Sequence, residues 1–279
     1  MRTPEVERRE QQRFLARLMG KFFELLEKHD AKLLELSERE QRRIQRHLAA
    51  ARLPQGKTLD AFDFLAVPTL SQARVRALVE GDSWLQAGHN LLAFGPPGSG
   101  KTHLAGAIGY ELIQRGYRVL MARTSDLVQR LQVARQDLAL TQEIAKLDKF
   151  DLLILDDLSY VRKDQAETSA LFELISARYE RRSIMITANQ PFSGWDAIFP
   201  DRAMTIAAID RLVHHATIFE MNVESFRRRS AMEAKRTRGR PAAFATITNT
   251  PQIVAERQST PETELASDKH ADTIPDTAT

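Results

Sequence analysis

One eight-residue segment constrains the fold of this chain more than any other. The segment GPPGSGKT, residues 95–102, matches the pattern G-x-x-x-x-G-K-[ST] and directly follows the apolar run LLAF at 91–94. A loop of this kind joins a buried strand to a helix, and its backbone N–H groups point at phosphate oxygens. The segment therefore predicts an α/β fold with a phosphate-binding site where a strand ends.

The residue types within this loop predict how it holds a nucleotide. Its three glycines allow the backbone to curl around phosphates, and the N-terminus of the following helix adds positive potential. We expect Lys101 to reach the β- and γ-phosphates of ATP and Thr102 to offer its hydroxyl to Mg²⁺. The predicted nucleotide-binding residues are Gly95, Pro96, Pro97, Gly98, Ser99, Gly100, Lys101 and Thr102.

The chain around the loop alternates short apolar runs with longer helical stretches. Further strands are predicted at 118–122, 151–155 and 183–187, and helices at 101–115, 125–147 and 164–182. Such alternation is typical of a parallel sheet flanked by helices. The predicted fold class is therefore a P-loop α/β domain.

Polar residues at two strand ends extend the predicted site. The run LLILDD at 152–157 ends in Asp156, expected to hold the Mg²⁺ shell, and Asp157, expected to polarise the attacking water. Asn189 follows the strand SIMIT, where its amide could hold that water; a turn-forming asparagine before Pro191 is the alternative. Arg211 lies on a later helix and is either an arginine finger for a neighbouring subunit or an ordinary surface arginine.

Two predicted appendages flank this core. Apolar residues at helical spacing, from Phe14 to Leu33, predict one N-terminal helix, and Ser37 with Glu40 predicts a capping box that opens a second, stopped by Pro54. The arginines of these helices either face solvent or contact DNA or a partner. The predicted domains are a helical one at 1–55, the ATPase core at 56–240 and a disordered tail at 241–279.

Charge and composition limit the remaining possibilities. Net charge is only +3, but seven Lys or Arg lie between Arg227 and Arg240, a cluster expected to contact phosphates. The chain has no cysteine, its seven histidines show no ligand spacing, and adjacent His214 and His215 should point in different directions on a helix. We therefore expect structural histidines and no structural zinc.

The N-terminal residues lack a signal sequence and no apolar run is long enough to span a membrane, so we expect a cytoplasmic protein.

Several segments together resemble the IstB family, the AAA+ helper ATPases of certain bacterial insertion sequences, which are related to DnaC helicase loaders. The resemblance covers about residues 10 to 235, and the loop with THLA and the DRL-x-HHA element are its most specific parts. The segments are KTLDAFDFLAVPTL (57–70), NLLAFGPPGSGKTHLAGAIG (90–109), DLLILDDLSY (151–160), ITANQPFSGW (186–195), IDRLVHHA (209–216) and ESFRRRS (224–230).

This resemblance implies an AAA+ fold with a small N-terminal helical domain. It also implies ATP-dependent homo-oligomers that bind duplex DNA and deliver it to a transposase. By position, Asn189 matches the sensor I residue, Arg211 matches the finger that acts in trans, and Arg227 matches a C-terminal nucleotide-sensing arginine. Many AAA+ ATPases have glutamate where Asp157 stands, and an aspartate there implies slower hydrolysis.

Three functions are compatible with these patterns. The first is the helper ATPase of an insertion sequence, the second a replicative helicase loader, and the third a P-loop ATPase that does not act on DNA. Absence of DNA affinity and of any salt dependence would favour the third.

Overall fold

The computed structural model describes residues 4–158, 165–191, 194–195, 202–226 and 228. The chain divides into two compact units, Met1–Thr237 and Arg238–Thr279, and the second lies outside the described residues. Arg227, the rest of the basic cluster beyond Arg228 and the predicted tail also lie outside them. The division into three domains stays a prediction.

A parallel sheet forms the centre of the described core. In the described part of the chain it has five strands in the order β2-β3-β4-β1-β5, and every neighbouring pair is parallel. This arrangement confirms the predicted α/β fold. The strands are β1 Asn90–Phe94, β2 Val119–Arg123, β3 Leu152–Asp156, β4 Ser183–Ala188 and β5 Ala216–Glu220.

Helices cover both faces of the sheet, because successive side chains of a strand point to opposite faces. In β1, Leu91 and Ala93 pack toward α1, α2 and α4, whereas Leu92 and Phe94 pack toward the helices α5 to α8. The helices are α1 Pro4–Ala51, α2 Gln72–Glu80, α3 Ser83–Gln86, α4 Lys101–Gln114, α5 Thr124–Gln136, α6 Leu140–Leu147, α7 Gln165–Arg178 and α8 Arg202–Val213.

The N-terminal region is one helix, so the predicted break at Ser37 is wrong. The Ser37 hydroxyl donates to the Leu34 carbonyl at 2.8 Å inside α1 instead of capping a new helix. Serine makes this bond to the preceding turn when it lies within a helix. Ion pairs between residues four apart support the continuous helix: Glu35–Arg39 at 2.5 Å spans Ser37, and Glu38–Arg42 at 2.8 Å follows it.

The last turns of α1 anchor it to the core, whereas its earlier apolar stripe is exposed. Ile44 and Ala51 are buried against the sheet domain. Leu18, Phe22 and Leu25 remain 54%, 56% and 65% exposed in the single chain. Over the described residues, no helix combines the length and apolar composition that a membrane span requires.

Two further differences from the predicted elements have local causes. The single helix predicted at 125–147 is two helices, because Leu138 adopts a left-handed backbone with φ 55° between α5 and α6. Strand β5 was not predicted. It lies at the sheet edge with Phe219 as its one buried residue, so its sequence lacks the apolar run that marks the central strands.

Candidate nucleotide site

The phosphate loop begins where β1 ends and closes at the first turn of α4. Gly98 and Gly100 have φ of 85° and 98°, a left-handed backbone that glycine adopts without strain. A side chain at Gly98 would collide with Ser225, and one at Gly100 would lie 3.2 Å from the Phe62 ring. The loop is thus held closely between the segment before the sheet and the segment after β5.

Lys101 is positioned by the loop that precedes it. Its side chain is buried, and its Nζ donates to the carbonyls of Gly95 at 2.7 Å and Pro96 at 2.9 Å. These carbonyl oxygens hold the ammonium within the loop, where it faces the same concave surface as the backbone N–H groups. The first backbone N–H groups of α4 lie beside it and favour an anion there.

A cluster of oxygen atoms lies beside the loop at the carboxyl end of β3. The Thr102 hydroxyl donates to the Asp156 carboxylate at 3.0 and 3.2 Å, and the Thr187 hydroxyl donates to the same carboxylate at 2.6 Å. Hydroxyl and carboxylate oxygens are the ligands that Mg²⁺ prefers. The two residues predicted to hold Mg²⁺ are therefore brought together, and their donor atoms fit that ion.

Asp157 and Asn189 also meet at this edge, as their positions at strand ends predicted. The Asn189 amide donates to Asp157 Oδ1 at 3.1 Å. Asp157 has a left-handed backbone, φ 64°, which turns its carboxylate away from the strand and into the cleft. Desolvation and then the charge of Asp156 raise the pKa of Asp157, while Lys101 and Asn189 oppose that rise.

Sequence reasoning missed Thr187, which joins Asp156 and Asp157 to β4. Its buried hydroxyl donates to Asp156 and accepts the backbone N–H of Asp157 at 2.9 Å. It lies within a β-strand where threonine is ordinary, so no sequence signal distinguished it. The geometry makes it a positioning residue for the Asp156 carboxylate and for the backbone that carries Asp157.

We expect Thr187→Val to lower kcat for ATP hydrolysis about tenfold or more with little change in KM. Losing a buried hydrogen-bond partner costs roughly 1–3 kcal/mol, and about 1.4 kcal/mol corresponds to tenfold. Thr187→Ser keeps the hydroxyl and should retain a near wild-type rate. Steady-state kinetics of both variants test this role. A Thr187→Val variant that hydrolyses ATP as fast as wild type would show that the hydroxyl positions neither carboxylate.

The cleft in front of the loop has a volume of about 660 Å³. One wall is the segment from Gly56 to Val67, in which Phe62 contacts His103 edge to face at 5.2 Å. The His103 ring lies 3.1 Å from the Thr58 carbonyl, and burial lowers the pKa of this histidine. An apolar wall beside a phosphate loop provides room for a nucleobase. Sequence patterns did not assign this wall, because it is an irregular segment.

The segment after β5 closes the opposite side of the loop. Met221 N donates to the Phe94 carbonyl at 2.7 Å, and Phe226 N donates to the Gly98 carbonyl at 3.0 Å. Phe226 lines the cleft. Arg227 follows it directly but lies outside the described residues, so its predicted nucleotide-sensing role stays a prediction.

Arg211 lies at the amino-terminal ends of the strands, away from the phosphate loop. Its carbonyl, with that of Leu212, accepts from the side-chain amide of Asn90, the first residue of β1. The phosphate loop follows the last residue of β1, roughly 13 Å further along the strand. The Arg211 guanidinium bonds its own helix at Ala207 O, 2.9 Å, and lies 5.0 Å from the Phe172 ring centre. Arg211 is therefore not part of the cluster around Asp156 in the single chain.

Comparison with known proteins agrees with this geometry. The family model described as IstB-like ATP binding protein matches residues 21–234. The chain belongs to the IstB family. It is 71% identical over 245 residues to an insertion sequence ATP-binding protein of Sinorhizobium fredii, covering 88% of this chain and 82% of that protein. It is 37% identical over 200 residues to the IS21 ATP-binding protein of Pseudomonas aeruginosa, covering 72% and 75%.

Solved structures show the same fold for this IstB chain. DnaI superposes with a TM-score of 0.52 at 19% identity, over 62% of this chain and 96% of that one. AMPPCP-bound DnaA of Aquifex aeolicus superposes with a TM-score of 0.52 at 22% identity, over 67% and 56%. The predicted P-loop α/β fold, a parallel sheet flanked by helices, is confirmed. The chain has a complete phosphate loop and two adjacent carboxylates, Asp156 and Asp157, where β3 ends. It is an ATPase.

Proposed function

We propose that this IstB chain is the DNA-binding helper ATPase of an insertion sequence. It assembles as a homo-oligomer on duplex target DNA and delivers that DNA to a transposase in the cytoplasm. The observation that carries the proposal is the cluster of Thr102, Asp156, Asp157 and Asn189 beside the phosphate loop, in a chain whose relatives are insertion sequence ATP-binding proteins.

Each side chain of the cluster has a distinct task in hydrolysis. Lys101 and the loop N–H groups hold the β- and γ-phosphates and balance the charge that builds on the γ-phosphate. Thr102 and Asp156 would hold Mg²⁺, which would neutralise part of the charge on the phosphates when bound. Asp157 accepts a hydrogen bond from the attacking water, and Asn189 orients that water and Asp157 together. An aspartate reaches less far than a glutamate, which favours slow turnover.

Two features support assembly into an oligomer. Arg211 lies near the first residue of β1, whereas the phosphate loop follows the last. Its guanidinium can therefore contact the nucleotide of a neighbouring subunit but not that of its own chain. The exposed stripe on α1, with Leu18, Phe22 and Leu25, leaves apolar surface that a single chain does not bury. A helicase-loader function has only fold likeness in its favour.

Strand transfer by the transposase of the same element tests this function. The assay measures joining of element ends to duplex target DNA, with wild-type chain plus ATP compared with chain alone and ATP alone. We expect joining to rise only when chain and ATP are both present. Active ATP hydrolysis with unchanged joining would contradict the helper function, and stimulated loading of a replicative helicase would favour the alternative.

A further inference from the structure

Three segments meet at the amino-terminal ends of the strands, opposite the nucleotide site. They precede β4, β1 and β5, which are neighbours in the sheet, and they carry Glu180, His89 and His215. The register pairs Asn90 with Ala216, so His89 and His215, each one residue earlier, lie side by side. Their rings stack at a centroid distance of 4.9 Å. Residues far apart in sequence thus form one polar cluster.

His214 and His215 lie together, so the prediction that they point in different directions is wrong. Helix α8 ends at Val213, and His215 then adopts a left-handed backbone with φ 70°. This turn brings the two ring centroids within 3.8 Å of each other. Positive φ is uncommon outside glycine, but histidine adopts it more readily than most residues, so this turn can form at the end of α8.

The donor atoms of this cluster have the spacing of a metal site. Glu180 Oε1 lies 3.5 Å from His214 Nδ1 and 4.0 Å from His215 Nε2, and the ligand atoms of all three residues lie within 4.8 Å of one another. Tetrahedral Zn²⁺ with bonds of about 2.0–2.1 Å separates its ligand atoms by roughly 3.3 Å. Shifts of up to roughly 0.75 Å at each ligand atom would therefore bring the three to a zinc ion.

Buried side chains hold the segments in place around the cluster. Asn90 donates to the carbonyls of Arg211 and Leu212 and accepts the Ile184 N–H at 3.0 Å, joining the ends of α8, β1 and β4. The buried Arg178 donates to Ser183 O at 2.9 Å and fixes the turn that carries Glu180. Metal-ligating side chains on segments that are already held in place lose little conformational entropy when the ion binds.

We propose that Glu180, His214 and His215 form a binding site for a transition-metal dication of the Zn²⁺ type. Two imidazoles and one carboxylate suit Zn²⁺, whereas Mg²⁺ prefers oxygen ligands alone. The three side chains are 54%, 49% and 47% exposed, so an ion reaches them from solvent and water completes its coordination. Histidine spacing in the sequence could not show this site, because the carboxylate of Glu180 belongs to the segment before β4, far from the two histidines along the chain. The proposal does not depend on the proposed function.

The bound ion would join the segments before β4 and β5. At present the Tyr179 hydroxyl lies 2.6 Å from His214 Nδ1 and orients that ring, so the hydroxyl must give way when Nδ1 binds the metal. A ligand that binds only the folded chain raises its melting temperature by mass action. Zn²⁺ should therefore stabilise this chain against heating.

Zinc and cobalt binding to the untagged full-length chain tests the proposal. Excess Mg²⁺ occupies Thr102 and Asp156 while Zn²⁺ is measured by competition with a chromophoric chelator and Co²⁺ by its visible absorption. We expect one ion per chain, the strong absorption of four-coordinate Co²⁺, and a higher melting temperature with Zn²⁺. Failure of wild type to bind a stoichiometric ion would overturn the proposal.

Substitutions of the three donors locate the ion. His214→Ala, His215→Ala and Glu180→Gln should each weaken Zn²⁺ binding by more than roughly 100-fold, because even an outer-sphere partner contributes 10- to 100-fold. His29→Ala, an exposed histidine 3.9 Å from Asp30 on α1, is the matched control and should bind Zn²⁺ as wild type does. Melting without metal checks that each variant folds. Zinc affinity that survives Glu180→Gln and both histidine substitutions would refute the assignment.

Discussion

Lys101→Ala should lower ATP hydrolysis by roughly 100- to 1000-fold or more. Removing one positioned donor from charge that develops in a transition state costs about that factor. Here the ammonium is held within the loop by the carbonyls of Gly95 and Pro96. The loop has no other charged side chain, so nothing within it replaces the lost charge. Phosphate release from saturating ATP, measured for purified variant and wild type, gives the ratio.

The fold of this variant should survive. The two carbonyls lose their hydrogen-bond donor, a cost of roughly 1–3 kcal/mol, which shifts the melting temperature by roughly 2–12 °C in a chain of this size. Lys146→Ala, an exposed lysine paired with Glu143 on α6, is the matched control and should hydrolyse ATP at the wild-type rate. A Lys101→Ala variant that keeps the wild-type rate would remove this lysine from the mechanism.

The sequence predicted those parts of the site that lie in a continuous motif or at the end of a buried strand. The loop from Gly95 to Thr102 has a fixed spacing, and the apolar runs before Asp156 and Asn189 placed both residues at one sheet edge. The structure brings the predicted residues together because carboxyl ends of parallel strands share an edge.

Other parts of the molecule depend on tertiary contacts that have no local signature. Thr187 resembles any strand threonine, and the wall containing Phe62 is irregular. The capping signal at Ser37 failed because a serine that bonds to its preceding turn has the same sequence context. His214 and His215 were placed on a helix because periodicity does not reveal a left-handed turn.

We propose that this chain hydrolyses ATP as an assembly, with Arg211 completing the site of a neighbour. Arg211→Ala should bind ATP normally, because the nucleotide is held mainly by its own loop. It should lose roughly 1000-fold or more in hydrolysis, since a finger supplied in trans is worth about 10³–10⁵ in rate. Arg202→Ala, at the exposed start of α8, is the matched control and should retain activity.

Mixing two inactive variants on duplex DNA is the most direct measurement of this claim. Lys101→Ala has a defective loop and an intact finger, whereas Arg211→Ala has the reverse. Mixed assemblies therefore contain interfaces that join an intact loop to an intact finger, and ATP hydrolysis should return as the mixing ratio approaches one to one. If mixed oligomers form and no ratio restores hydrolysis, Arg211 does not act on a neighbouring subunit.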